Sequence, residues 1–380
     1  MAEQQIKPRL WHIYYGTRGT AGAYLDDLQR ACLVAGCRSS AFASARYRFG
    51  TDRVHRFFFP LTEWTERRNR PIQALRYLEL LAGYGLLAIL ALFTRPIVNL
   101  SLIDDTRLTY WFFRGLKGLG LKVCVTCHDV LSHHRGLTAR RTRIYRSADR
   151  LIVHSTYAHG ILSGLVGEAG RGKIRQFPFP SAPVQKILRP DRLRRAKQNL
   201  ARLIPDKRPY FLFIGIVRES KGIASLLSAW DQGRAKEKSR LVIAGKWAGP
   251  AIRFQERARG LAGCLVIDRY LGDEEFISLI EESRFVVLPY LEYSHSAVLF
   301  ACGWARAAVI ISNAGLFSDI LPAYELSFPA GQADELARVL ERAAGMTGAQ
   351  VSACRDILAS RVRQAEASLA GEVAPAFCEV

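Results

Sequence analysis

The stretch Phe211 to Gly222, FLFIGIVRESKG, limits this chain more than any other. Four apolar residues, Phe211 to Ile214, run into Gly215. Arg218 and Lys221 follow, three residues apart, and Gly222 precedes a new amphipathic run. The pattern predicts a buried strand, a loop and a helix start. A glycine at a strand end lets backbone approach a ligand closely. Arg and Lys just beyond it suit a phosphate pair, Arg as a planar fork and Lys as a point charge. The alternative is that both cations are solvated surface charges, the usual state of these residue types.

The same strand–loop–helix unit recurs along the chain. Leu10 to Tyr15 reads as a strand. Gly16, Gly19 and Gly22 punctuate the loop after it, and Tyr24 to Val34 has helical spacing. Such a loop offers backbone amides to an anion, although the spacing is not the dinucleotide fingerprint. Further strands are expected at SSAFAS, Ile97 to Ile103, Lys122 to Cys127 and Asp149 to His154. Ser155 is placed to cap the helix after the last of these. In the second half the strands fall at Ser239 to Ala244, CLVIDRYL, Phe285 to Pro289 and Val309 to Ser312. Alternation of this kind predicts parallel sheets. Pro178, Pro180 and Pro183 interrupt it and mark a linker between two domains. At 380 residues two domains are also the expectation from length. They are set at 1–180 and 181–356, with a C-terminal helix at about 357–380 returning to the first.

Charge divides unevenly between the halves. Residues 1–190 hold 29 Lys and Arg against 12 Asp and Glu, and residues 191–380 hold 25 against 22. A one-sided basic field implies an anionic partner for the first half. Nucleic acid, anionic lipid headgroups and a phosphorylated acceptor all qualify, but no recognised nucleic-acid module accompanies the charge. Between Arg46 and Tyr84 arginines interleave with aromatics. The apolar run Leu78 to Phe93 follows, one helix of sixteen residues, short of the roughly 20 that span a bilayer. It is either a core helix or a helix lying at a membrane surface. His133, His134, Arg135 and Arg140 to Arg146 extend the basic field, facing the same anionic surface or coating an exposed helix. The eight cysteines are scattered, and no secretory signal is evident at the N-terminus, so a reduced, cytoplasmic protein is the expectation. Cys124 and Cys127 form a CxxC inside an expected strand, which favours buried thiols over a metal or redox pair.

Two further positions carry chemistry. His128 falls at the carboxyl end of a strand, where open α/β sheets bind ligands. Glu292, Ser294, His295 and Ser296 occupy a loop that opens a helix at Ala297, a place where hydroxyls and free amides meet a diphosphate or a sugar. The alternative for the serines is simple helix capping.

In this order the segments resemble the family-4 retaining glycosyltransferases (glycosyl transferases group 1) over nearly the whole chain. His128-Asp129, ADRLIVHS from Ala148 to Ser155, FIGIVRESKG, LVIAG and LPYLEYSHSAVL carry the resemblance, and the arginine–lysine pair is its most specific part. The resemblance implies the GT-B fold, an α/β architecture of two Rossmann-like domains with parallel sheets facing an interdomain cleft. It implies a nucleotide-sugar donor, transfer with retention and no metal or other cofactor. It also implies a lipid-linked or polysaccharide acceptor at the cytoplasmic face of a membrane, held by the basic first domain, and no nucleic-acid partner. The catalytic residues carried over are His128, Arg218, Lys221 and Glu292. The donor-binding ones are Gly19, Gly22, Gly215, Gly245, Lys246, Ser294, His295, Ser296 and Ala297. The chain departs from the family where a second glutamate is usual. That position is Phe300 counted from Glu292, or Ala301 in the register set by the serines. An inactive protein of the same fold, binding nucleotide sugar or a partner transferase, is the alternative.

Overall fold

The computed structural model describes residues 9–15, 21–64, 69–101, 106–128, 130, 137–177, 188–206, 208–292 and 296–378. The expected linker prolines, Asp129, His133 to Arg135, and the site residues Gly19, Ser294 and His295 lie outside the described residues. The chain forms two compact units, Met1–Ser181 with Glu366–Val380, and Ala182–Ala365.

Among the described residues the first unit holds seven strands: β1 Arg9–Ile13, β2 Arg38–Ser44, β3 Val54–Phe58, β4 Ile97–Ser101, β5 Val123–Thr126, β6 Arg150–Val153 and β7 Ile174–Gln176. They pair in the order β3-β2-β1-β4-β5-β6-β7, all parallel. The second unit holds β8 Tyr210–Ile214, β9 Arg240–Ala244, β10 Cys264–Ile267, β11 Phe285–Leu288, β12 Val309–Ser312 and β13 Ser327–Phe328. Their order is β10-β9-β8-β11-β12-β13, again all parallel. Helices on both faces bury such sheets, which explains why β8 and β11 are apolar without alternation and buried throughout. In each sheet the strand order reverses direction once, between β1 and β4 and between β8 and β11. Ligands of open α/β sheets bind beyond the carboxyl ends of the strands at that reversal.

Several boundaries differ from the sequence expectation. β3 was hidden in the basic–aromatic stretch. It is an edge strand whose His55 and Arg56 face solvent, so its apolar alternation is weak. The apolar helix runs from Arg70 to Thr94, 25 residues rather than sixteen. Asn69 caps it by accepting from the Ile72 amide, and Pro71 occupies its first turn. The last helix is Gly348–Cys378, beginning before the expected start at about 357, with Pro375 inside it. Its end belongs to the first unit. There the buried Arg150 donates through its guanidinium to the Pro375 carbonyl at 2.8 Å, and Phe377 meets His12 edge-on at 5.2 Å. Arg141, assigned from sequence to the basic field, is fully buried in the helix Ala139–Ser147 and points at the Val130 carbonyl. It therefore belongs neither to an anion-facing surface nor to an exposed coat. Cys124 and Cys127 are buried free thiols, and burial pushes both up to about 12.

Candidate active site

The reversal point of the second sheet is built by two loops. The first leaves β8 at Gly215. It stays paired with the loop after β9 through Val217, whose amide donates to the Lys246 carbonyl at 3.0 Å. It then forms one short turn, Glu219–Lys221, and enters the helix Ile223–Gln232 at Gly222. The second loop leaves β11 at Pro289 and runs to Ser296. That serine caps the helix Ala297–Trp304, its hydroxyl accepting from the Leu299 amide at 3.2 Å. The loops are fastened together, because the Leu291 amide donates to the Ser220 carbonyl at 2.8 Å.

Lys221 is the centre of this arrangement. It is a buried lysine, and its ammonium lies 5.1 Å from the centroid of the Tyr290 ring, a cation–π contact. A side chain at Gly215 would put its Cβ 3.2 Å from that ammonium and 3.7 Å from Val298 in the first turn of the helix Ala297–Trp304. The lysine head, the Gly215 backbone and a helix N-terminus therefore converge. The free amides of such a terminus favour an anion. Among the described residues no carboxylate pairs with either Lys221 or Arg218. The nearest acidic side chain in sequence, Glu219, is taken by Arg253 at 2.5 Å. Burial first, and then the Arg218 charge, lowers Lys221 to about 8. Two adjacent cations without a counterion, one of them buried, suit a ligand that brings the negative charge.

The structure thus brings together Gly215, Gly245, Arg218, Lys221, Ser296 and Ala297, with Glu292 exposed on the loop just after Leu291. Gly245 serves as a spacer: its Cα packs so closely on the Gly215 carbonyl that a Cβ would lie 1.9 Å from the oxygen. Lys246 is differently engaged. Its ammonium is 3.3 Å from Asp268, a carboxylate that also accepts from the Trp247 amide and from Gln255. No sequence spacing points to that partner, which lies on the loop after the neighbouring strand. Phe300 and Ala301, the two registers for a second glutamate, are both fully buried in the core of the unit.

In the first unit His128 follows β5. Its ring stacks on Tyr14 at 5.3 Å and meets the edge of Tyr24 at 4.3 Å. Tyr24 in turn lies 3.0 Å, hydroxyl to Nε2, from the buried His154. The His154 Nδ1–H donates to the Phe177 carbonyl at 3.1 Å, so its Nε2 accepts from the tyrosine. This aromatic frame went unread in the sequence, since its members come from distant segments, Tyr24 and His154 alone being 130 residues apart. Gly22 is not in a loop. It sits in the first turn of the helix Ala21–Val34, where a Cβ would come within 2.9 Å of the Phe49 ring. Among the described residues no group of three or more His, Cys, Asp or Glu could hold a metal ion.

Residues 208–345 match the family model described as glycosyl transferases group 1. The match lies within the second unit. No curated protein matches the chain. Solved structures resemble it over nearly its full length. Sucrose-phosphate synthase from Thermosynechococcus elongatus has a TM-score of 0.70 at 18% identity, covering 98% of this chain and 99% of that one. Anabaena HepE in complex with UDP-glucose gives 0.68 at 13%, covering 98% and 100%. The α,α-trehalose 6-phosphate synthase of Burkholderia multivorans gives 0.65 at 14%, covering 98% of each. At these identities the likeness is one of fold, and with the two parallel sheets it shows the GT-B fold.

Proposed function

We propose that the protein moves a sugar from a nucleotide-sugar donor to a lipid-linked or polysaccharide acceptor, with retention, at the cytoplasmic face of an anionic membrane. The observation that carries the donor half of this reading is the buried Lys221 beside Arg218, with no carboxylate partner among the described residues, at the sheet reversal of a unit matching the group 1 transferases. Charge accumulates on the diphosphate as the glycosidic bond breaks. Cations already fixed and desolvated stabilise it without reorganising. The free amides at Ala297 and Val298 would hold the same group. His128, kept in place by Tyr14 and Tyr24, would hydrogen-bond the donor sugar. The HepE complexes hold UDP, UDP with glucose, or UDP-glucose, which supports beginning with uridine donors.

A second reading keeps the donor site and drops the transfer: a protein that binds nucleotide sugar or a partner transferase. The core burial of Phe300 and Ala301 favours it, because neither register of the second glutamate reaches the site. A thermal-shift panel of nucleotide sugars followed by turnover assays separates the two. Stabilisation by a donor together with sugar release supports transfer. Stabilisation with no turnover towards any acceptor supports binding alone, and no stabilisation by any nucleotide sugar rejects both transfer and nucleotide-sugar binding. His128→Ala should lower turnover roughly 100-fold, the scale of a lost transition-state hydrogen bond, while nucleotide affinity stays within about threefold. An unchanged rate in that variant would remove His128 from the site.

A further inference from the structure

The helix Arg70–Thr94 has two incompatible-looking faces. Among the described residues it is the one helix long and apolar enough to cross a membrane. Yet one stripe of it, Leu80, Tyr84, Leu87 and Ala91, is buried in the first unit. Tyr84 stacks flat on Phe112 at 4.0 Å, and a Cβ at Gly83 would come within 3.2 Å of Phe58 in β3. The Glu79 carboxylate accepts from the Leu61 amide at 2.6 Å and from the Thr62 hydroxyl. The opposite face is exposed and apolar: Leu78, Leu81, Leu86, Ile89, Leu92 and Phe93 stand in solvent, the last at 83% exposure. No charged residue occurs from Leu80 to Thr94. Isolated exposed leucines are ordinary, but a continuous stripe of this length marks a contact surface.

We propose that this helix lies flat in the headgroup region of an anionic lipid monolayer, its outer face inserted and its inner stripe kept in the core. The proposal deepens the membrane part of the function proposed above and does not depend on catalysis. Spanning the bilayer is disfavoured by the inner stripe: Leu80, Tyr84, Leu87 and Ala91 would have to leave the core for lipid. At about 1.5 Å per residue the helix offers a line of roughly 37 Å, enough for a firm in-plane contact. Charge decides between lipid and a second copy of the chain. Residues 1–190 carry 29 Lys and Arg against 12 Asp and Glu, so two copies repel each other while an anionic surface attracts. The helix Arg107–Gly118, packed beside it through Phe112, exposes Trp111 between Arg107 and Arg114 on one face. A tryptophan flanked by arginines suits the headgroup level.

The test is flotation of the full chain with phosphatidylglycerol–phosphatidylcholine vesicles and with phosphatidylcholine alone. Wild type should float with the anionic vesicles and far less with the neutral ones. The variant Leu81→Gln, Leu86→Gln, Ile89→Gln should bind about tenfold more weakly at an unchanged melting temperature, since all three side chains are exposed. Fluorophores on cysteines placed at Leu78 and Leu92 should be quenched alike by a shallow lipid quencher. Graded depths would mean a spanning helix and overturn the in-plane assignment. Undiminished flotation of the triple variant would overturn the assignment to this helix while leaving membrane binding intact. No flotation of wild type would overturn both. A wild-type dimer that the triple variant abolishes, without vesicle binding, would mean that a second copy covers the face.

Discussion

Replacing Lys221 by methionine is expected to cut turnover by about 10² to 10³-fold, the scale of losing one fixed donor to a developing anion. The same substitution should make the ligand-free protein more stable. Both expectations come from one fact: the ammonium is buried beside Arg218 with no carboxylate partner among the described residues, so the fold bears the cost of that charge. Methionine matches the apolar stem of the lysine out to Cε while removing the ammonium and its charge. A lysine placed for stability would show the opposite pair of results, a lower melting temperature with rates little changed. Opposed effects on activity and stability are the expected mark of a residue held for binding.

The pH dependence follows from the same group. Burial, and then Arg218, lowers Lys221 from 10.5 to about 8. The unfolded chain therefore keeps this proton up to about pH 10.5, whereas the folded protein releases it near pH 8. Between those values the unfolded state binds more protons, so this group's contribution to stability rises with pH. Below about pH 8 both states are charged and the full penalty, on the order of 3 kcal/mol, is present. A bound diphosphate neutralises the pocket and returns the proton. Calorimetric titration of nucleoside diphosphate near pH 8.5, in two buffers of different ionisation enthalpy, should show uptake of most of one proton. At pH 7 uptake should be small, and Lys221→Met should show none at either pH. Binding without uptake near pH 8.5 would mean that the ammonium does not face the ligand.

The architecture was legible because parallel strands buried on both faces are written as short apolar runs ending at glycine. β8 followed by Gly215, and β9 followed by Gly245, are both of that form. The cation pair was legible because it lies within seven residues of the end of its strand. What escaped was anything that depends on strand order. Asp268 reaches Lys246 because β10 lies beside β9, and no spacing in the sequence states that neighbourhood. Tyr24 and His154 meet across the first sheet for the same reason. Arg141 misled in another way: charge type predicts exposure, but a guanidinium can be buried where carbonyl oxygens such as that of Val130 are within reach. The helix Arg70–Thr94 was underestimated because its first turns are polar, and only its cap at Asn69 shows where it begins.

Gly222→Ala is expected to destabilise the second unit by more than about 3 kcal/mol and to abolish donor binding. The glycine has φ +70°, and a Cβ there would lie 1.8 Å from the Pro289 carbonyl oxygen. Neither side can yield cheaply. The Gly222 amide is held by the Glu219 carbonyl at 2.8 Å, and the Pro289 loop is held by the Leu291 amide on Ser220. Relief requires the two loops to part, and parting them moves Lys221 and Arg218 away from the helix N-terminus at Ala297. A shift of about 1 Å at such a site can by itself cost roughly 100-fold in rate. Gly249→Ala is the internal control. It has φ +61° but no atom within 4 Å of the added Cβ, so it carries the backbone strain without the collision. It should cost about 1 kcal/mol and leave nucleotide affinity unchanged. The two melting temperatures should differ by several degrees at least. Equal losses in the two variants would show that the loops have room to separate and that the close approach of Gly222 to Pro289 does not hold the cation pair in place.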